Sequence, residues 1–151
     1  MTPSFSTVFA EHYQSVFRLA LSLSGSHADA EDIAQEVFEV IVKALPKFRG
    51  DSKLSTWIYR ITLRTGTRWL ARRGPVAELK VDMTATDQSI PIDLINVLNK
   101  LSLDMKAVVL LAFVEGLTHD EVAEVLAIPV GTVASRVHYA RKEMVKLLGH
   151  P

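Results

Sequence analysis

The chain has 151 residues, 48% of them hydrophobic, and its 17 basic and 17 acidic side chains balance to a formal net charge of zero. That length allows one ordinary domain or two small ones, and the absence of cysteine excludes disulfides, thiolate zinc sites and a cysteine nucleophile. No run reaches the ~18 apolar residues that span a bilayer, and no basic-then-apolar segment opens the chain, so neither membrane insertion nor export is expected and a cytoplasmic location fits.

Zero net charge lacks the usual footprint of a nucleic-acid binder, but the charges are segregated. From Lys43 to Lys80 there are ten cations against only Asp51 and Glu78, while acids gather in Asp29 to Glu39 and again in Asp104 to Glu124. Such a division suggests an anionic partner for the middle and a protein partner for the acidic helix.

The first helix is expected over residues 4–24, with Phe5, Val8, Phe9, Tyr13, Val16, Phe17 and Ala20 on its inner side and Gly25 as its stop. Ser26 can cap a second helix that starts with Asp29, Glu31 and Asp32 and ends near Leu45, before Pro46. Ile33, Val37, Phe38, Ile41, Ala44 and Leu45 form its core stripe, leaving Asp32, Gln35, Glu36, Glu39 and Lys43 exposed. An exposed acidic face is also what any solvated helix presents. A basic loop, Phe48 to Lys53, leads to a third helix capped by Ser55 or Thr56 and running to about Arg72. Trp57, Ile58, Ile61, Leu63 and Leu70 supply its apolar bulk, and Tyr59, Arg60, Arg64, Arg68 and Arg72 its polar surface. Aromatic rings interleaved with arginines suit unstacked single-stranded bases, because stacking is worth ~1–3 kcal/mol per base and arginines hold the backbone. Trp57 is expected to pack inward at least in part.

Residues 74–91, with Gly74-Pro75, a polar run from Thr84 to Ser89 and then Pro91, read as a flexible linker. Helical periodicity resumes with Leu94, Ile95, Leu98 and Leu101, and Ser102 caps a markedly apolar helix from Asp104 to Glu115 that should centre a small bundle. The last stretch has the layout of a helix-turn-helix. Thr118 and Glu121 make a capping box; Val122, Ala123, Val125 and Leu126 form a buried face; Pro129-Val130-Gly131 turns the chain into a final helix. There Val133, Val137, Ala140 and Met144 should pack inward. The other side carries Thr132, Ser135, His138, Tyr139 and Lys142, flanked by Arg136 and Arg141, side chains suited to base edges and phosphates. The expected fold is therefore all-α: two small helical domains, residues 1–73 and 92–151, joined by a flexible linker over 74–91.

Two blocks carry a family resemblance. Ile128-Pro129-Val130-Gly131-Thr132-Val133-Ala134-Ser135-Arg136, ending in Ala140-Arg141, resembles region 4 of bacterial extracytoplasmic-function (ECF) sigma factors of the sigma-70 superfamily. Asp29 to Phe38, Phe48-Arg49-Gly50-Asp51 and Ser55 to Ile61 resemble region 2 of the same family. Both blocks stand in the family's order and spacing and together cover nearly the whole chain. The resemblance implies that Asp32, Gln35, Glu36 and Glu39 dock on core RNA polymerase. It implies that Arg49, Lys53, Ser55, Trp57, Tyr59, Arg60 and Arg64 open the minus-ten element and hold a flipped base, offsetting a few kcal/mol of unstacking. It implies that Thr132, Ser135, Arg136, His138, Tyr139 and Lys142 contact the minus-thirty-five element. An anti-sigma factor is expected as a further partner, and no cofactor or metal.

Two positions depart from the family. Arg64 and Arg68 stand where many members carry Asn and Asp, so the identity of the flipped base does not carry over. Ala134 replaces a commonly basic residue, which removes a phosphate or guanine contact worth ~1–3 kcal/mol if bidentate. Two readings follow: an ECF sigma factor that binds core polymerase and recognises promoter DNA, or a sigma-fold module that binds an anti-sigma factor or polymerase without reading promoters. Enzymatic chemistry is not expected. His12, His27, His119, His138 and His150 have no ligand spacing, and no phosphate loop or nucleophile motif is present. No built-in regulatory domain is expected beyond the helix-turn-helix.

Overall fold

The computed structural model describes residues 2–74 and 96–149. Every regular element among them is helical, as the all-α expectation requires. They fall into two compact units, one up to residue 74 and one from residue 96 onward. Apart from Gly74, the expected linker lies outside the described residues, as do Leu94, Ile95 and His150.

The first unit is three long helices: α1 (Phe5–Ser24), α2 (His27–Ala44) and α3 (Leu54–Arg73), with a 3-10 turn at Leu45–Lys47. Ser4 caps α1, its hydroxyl accepting from the Thr7 amide, and Gly25 closes it in the left-handed conformation that glycine adopts without steric cost. The Ser26 hydroxyl accepts from the Asp29 amide to start α2. With Pro46 inside it, the 3-10 turn ends the α2 ladder where the sequence pattern placed the stop. Val16, Ile33, Val37 and Ile41 are at most 1% exposed and form the centre of the core. Phe9, expected on the buried side of α1, is instead 42% exposed. The apolar stripe of α1 is wider than its contact with α2, so its outer edge faces solvent.

Helix α3 differs from its sequence reading at two points. It starts at Leu54, with Lys53 as a cap residue that makes no side-chain capping bond, rather than being capped by Ser55 or Thr56. Leu54 packs against the core and Thr56 is buried, which draws the helix start forward. Its inner face also holds Thr62, Thr65 and Gly66 beside Ile58 and Ile61. The Thr62 hydroxyl is satisfied by the Ile58 carbonyl at 2.8 Å. A Cβ on Gly66 would come within 2.9 Å of Leu23, so glycine permits the close approach of α3 to the other two helices.

In the second unit a helical turn at 96–98 buries Val97 and Leu98. Helix α4 (Leu103–Val109) follows, with Ser102 accepting from the Met105 amide as expected of its cap. The uniform helix expected over Asp104 to Glu115 becomes a π-helical turn at Leu110–Val114, whose Glu115 amide donates to the Leu110 carbonyl at 2.9 Å. Val108, Val109, Leu110 and Leu111 are fully buried, but Phe113 turns outward. Helices α5 (His119–Leu126) and α6 (Val130–Leu147) complete the unit. The capping box on α5 is formed in both directions: Thr118 amide to Glu121 carboxylate at 2.9 Å and Glu121 amide to Thr118 hydroxyl at 3.2 Å. Val122, Val125, Val133, Val137 and Ala140 pack inward. The turn between these helices passes through Ala127 in the left-handed region, at φ 55°.

Candidate functional site

Three surfaces gather the side chains singled out by the sequence. The first is α2. Asp32, Gln35 and Glu39 are exposed, and the Gln35 amide donates to Glu39 at 3.4 Å. Glu36 is only half-exposed and is already engaged: the Arg72 guanidinium at the end of α3 donates to both its oxygens at 2.9 Å. Arg73 pairs likewise with Asp29, in the first turn of α2. These contacts join residues far apart in the chain, so sequence spacing gave no hint of them. Beside the acidic face lies a cleft of about 520 Å³ lined by Phe5, Phe9, Tyr13, Phe38 and Val42, with Gln35 and Glu39 among its walls. Phe9 sits 4.8 Å from Phe38 and 5.2 Å from Tyr13, ring centre to ring centre. The sequence reading missed this cleft. Its one signal in the sequence is Val42, an apolar residue exposed at its wall beside the polar Gln35 and Glu39.

The second surface is the loop before α3 and the outer side of that helix. Arg49 and Lys53 are exposed, while Ser55, Trp57, Tyr59 and Arg60 are half-buried. Trp57 does pack inward in part, against the core and 5.0 Å from the Phe48 ring. Trp57, Arg60, Arg64 and Arg68 follow one another at three- and four-residue steps, so the helix places them in a single row, with Arg64 and Arg68 the most open. Tyr59 leaves the helix about 200° round from Trp57 and does not join that row.

The third surface is α6. His138, Tyr139 and Lys142 are exposed, Tyr139 by 56%, and Thr132 is half-buried. Ser135 is exposed but donates its hydroxyl hydrogen to the Gly131 carbonyl at 3.0 Å. Arg136 departs from the stripe: it is 29% exposed and its guanidinium lies 3.9 Å from the Asp104 carboxylate of α4. Arg141, which the sequence placed on a flank, sits 5.2 Å over the outward-turned Phe113 ring, a cation–π contact that orients it. Behind this surface Lys106 is buried with its ammonium donating to Asn99 at 3.0 Å, and loss of hydration pulls its pKa down to about 8. Among the described residues, no helix is long and apolar enough to cross a membrane.

Comparison with known proteins matches these two units to two consecutive family models. Residues 8–75 match Sigma-70 region 2 and residues 92–144 match Sigma-70 region 4. The ECF RNA polymerase sigma-E factor of Escherichia coli K12 is 31% identical, over 76% of this chain and 71% of its own length. The ECF sigma factor SigE of Mycolicibacterium smegmatis is 29% identical over 94% of this chain, which spans 60% of that relative's length. Among solved structures, CnrH in complex with the cytosolic domain of CnrY superposes with a TM-score of 0.77 at 27% identity, covering 95% of this chain and 86% of that one. The sigma factor RpoE of Bartonella quintana, bound to the anti-sigma factor NepR, shares the fold with a TM-score of 0.78 at 24% identity and 97% coverage of both chains. With two region models in the family's order, a relative above 30% identity and the matching two-unit helical fold, the chain belongs to the ECF sigma factors of the sigma-70 family.

Proposed function

We propose that the chain is a promoter-specificity subunit: it binds core RNA polymerase, recognises two promoter elements and helps open the duplex without covalent chemistry. The proposed domain limits are residues 1–73 for polymerase and minus-ten contacts, 74–91 for the linker and 92–151 for the minus-thirty-five element. Asp32, Gln35, Glu36 and Glu39 are assigned to the polymerase. An acidic face beside an apolar cleft suits an amphipathic partner helix with flanking cations. Arg49, Lys53, Ser55, Trp57, Tyr59, Arg60 and Arg64 are assigned to the melted minus-ten strand, with Trp57, Arg60 and Arg64 at its centre because they share one row. Thr132, Ser135, His138, Tyr139 and Lys142 are assigned to the minus-thirty-five element, and Arg136 to a phosphate at its flank. The cytoplasm, where polymerase works, is the proposed location.

The observation that carries this reading is the arginine row of α3, open at Arg64 and Arg68, on a region-2 unit, joined in one chain to an exposed recognition helix on a region-4 unit. A second reading, a sigma-fold module that binds an anti-sigma factor or polymerase without reading promoters, draws support from two features. Arg136 lies near Asp104, and Ala134 removes a cation from the recognition helix. An anti-sigma partner fits both readings, since the similar RpoE fold is seen with one.

Run-off transcription with purified core polymerase on promoter fragments from the same genome separates them. A working sigma factor gives specific transcripts that are lost with Trp57→Ala plus Arg60→Ala and strongly reduced with the exposed Arg64→Ala. Core binding without any start site supports the second reading, and absence of core binding defeats the assignment of the acidic α2 face to polymerase in both.

A further inference from the structure

The first two turns of α6, the part that meets base edges in a helix-turn-helix, run Val130-Gly131-Thr132-Val133-Ala134-Ser135-Arg136. Arg136 is the single cation in that stretch. It leaves the helix about 200° round from Ala134, towards Asp104 at 3.9 Å. The Ser135 hydroxyl hydrogen is committed to the Gly131 carbonyl. Apart from Ser135, the exposed side chains of this stretch are aliphatic. Val130 is 47% exposed, and Ala134, one turn further along the same side, is exposed too. The inward contacts of α6 are carried by Val133, Val137 and Ala140, so the fold does not require hydrocarbon at Val130 or Ala134.

We propose that Val130 and Ala134 are specificity-determining residues that read the 5-methyl group of a thymine in the upstream promoter element. This rests on α6 being a recognition helix, as in the proposed function. In the major groove thymine alone of the four bases carries a methyl group, and an aliphatic side chain recognises it by excluding water from both surfaces. A guanidinium at position 134 would instead take guanine O6 and N7 as a pair. With alanine there, a guanine opposite it finds no donor and a thymine finds a methyl contact. His138 continues the same row with ring nitrogens that accept or donate, and Lys142 follows with a cation for phosphate. The helix thus grades from methyl readout at its start to charge at its end.

The test uses the full chain with core RNA polymerase and a duplex recovered by in vitro selection from a library randomised across the upstream element. Each thymine of that element is then replaced singly by deoxyuridine, which lacks only the methyl group. One or two positions should bind about fourfold more weakly, the loss expected for one buried methyl. At those positions Val130→Ser or Ala134→Ser should erase the difference between thymine and uracil, with helicity and core binding unchanged. Equal binding at every position overturns the inference while promoter recognition stands. A uracil penalty retained by both variants also overturns it, since other residues then read the methyl. Selection of no sequence at all overturns this inference together with the promoter-reading function.

Discussion

The two units solve the same problem, holding a few helices together, by different means. In the first, helices of 18 to 20 residues lie close enough that Gly66 meets Leu23 directly. Opposite charges are also joined across its helices, as in Arg72 with Glu36 and Arg73 with Asp29. In the second unit α4 and α5 are only 7 and 8 residues long, short of the ~12–15 residues at which isolated helices become even marginal. That unit therefore leans on local devices: caps at Ser102 and Thr118 and a π turn that continues α4. It also buries a lysine and places an alanine in the left-handed region, two costs with no counterpart among the described residues of the first unit. The lesson is that long helices tolerate functional surface charge because packing stabilises them, whereas short ones depend on individual residues at their ends.

The largest test of this contrast is a cavity in each core. Ile33→Ala and Leu110→Ala each remove a fully buried side chain and should cost ~2–5 kcal/mol. Both tryptophans, Trp57 and Trp69, lie in α3, so tryptophan fluorescence follows the first unit while far-UV circular dichroism follows both. Ile33→Ala should shift the fluorescence transition and Leu110→Ala should shift only the dichroism. A fluorescence shift with Leu110→Ala would show that the units unfold as one and would end the comparison.

Next in size is Lys106. Its folded pKa, about 8, lies below its ordinary 10.5 because burial penalises the ammonium. The penalty is present in full below pH 8. Between pH 8 and 10.5 the unfolded chain binds the proton more, so stability rises with pH there and levels off above. The gain should be on the order of 1–3 kcal/mol, seen in denaturant titrations of the second unit. Lys106→Met should raise stability at pH 7 and flatten that rise; an unchanged pH slope would refute the assignment.

Smaller effects sharpen the contrast. Gly66→Ala should destabilise the first unit by about 1 kcal/mol, overpacking against Leu23 outweighing the helix-propensity gain. Ala127→Gly should instead stabilise the second unit by about 0.5 kcal/mol, because relief of the left-handed backbone exceeds the added chain entropy. Thermal melts of the two variants should move in opposite directions. The last pair sets a cap against a surface bridge. Thr118→Ala loses a formed capping box and should cost about 1 kcal/mol, whereas Arg72→Ala loses a solvent-screened pair, with Arg72 59% exposed, and should cost less. A larger loss from Arg72 than from Thr118 would reverse the ranking of cap over charge.

Local rules were enough to place much of this architecture. Gly25, Ser26, Ser102, Thr118 and Pro46 act within a few residues of themselves, through one hydrogen bond or one backbone preference, so their effect is written where they stand. The inward stripes of α2 and α6 are similarly set by period, and the candidate site residues on α2, α3 and α6 follow from spacing and family motifs alone. Tertiary structure decided what depends on a partner distant in the chain. Whether Phe9 is core or cleft wall depends on how far α2 reaches across α1. Whether Thr62, Thr65 and Gly66 face inward depends on how closely α3 can approach. Whether Glu36 and Arg136 face solvent alone or beside an opposite charge depends on Arg72 and Asp104 arriving from other helices. Periodicity fixes a side chain's direction from its own helix axis, but what it meets in that direction is set by long-range contacts that no short window of sequence contains.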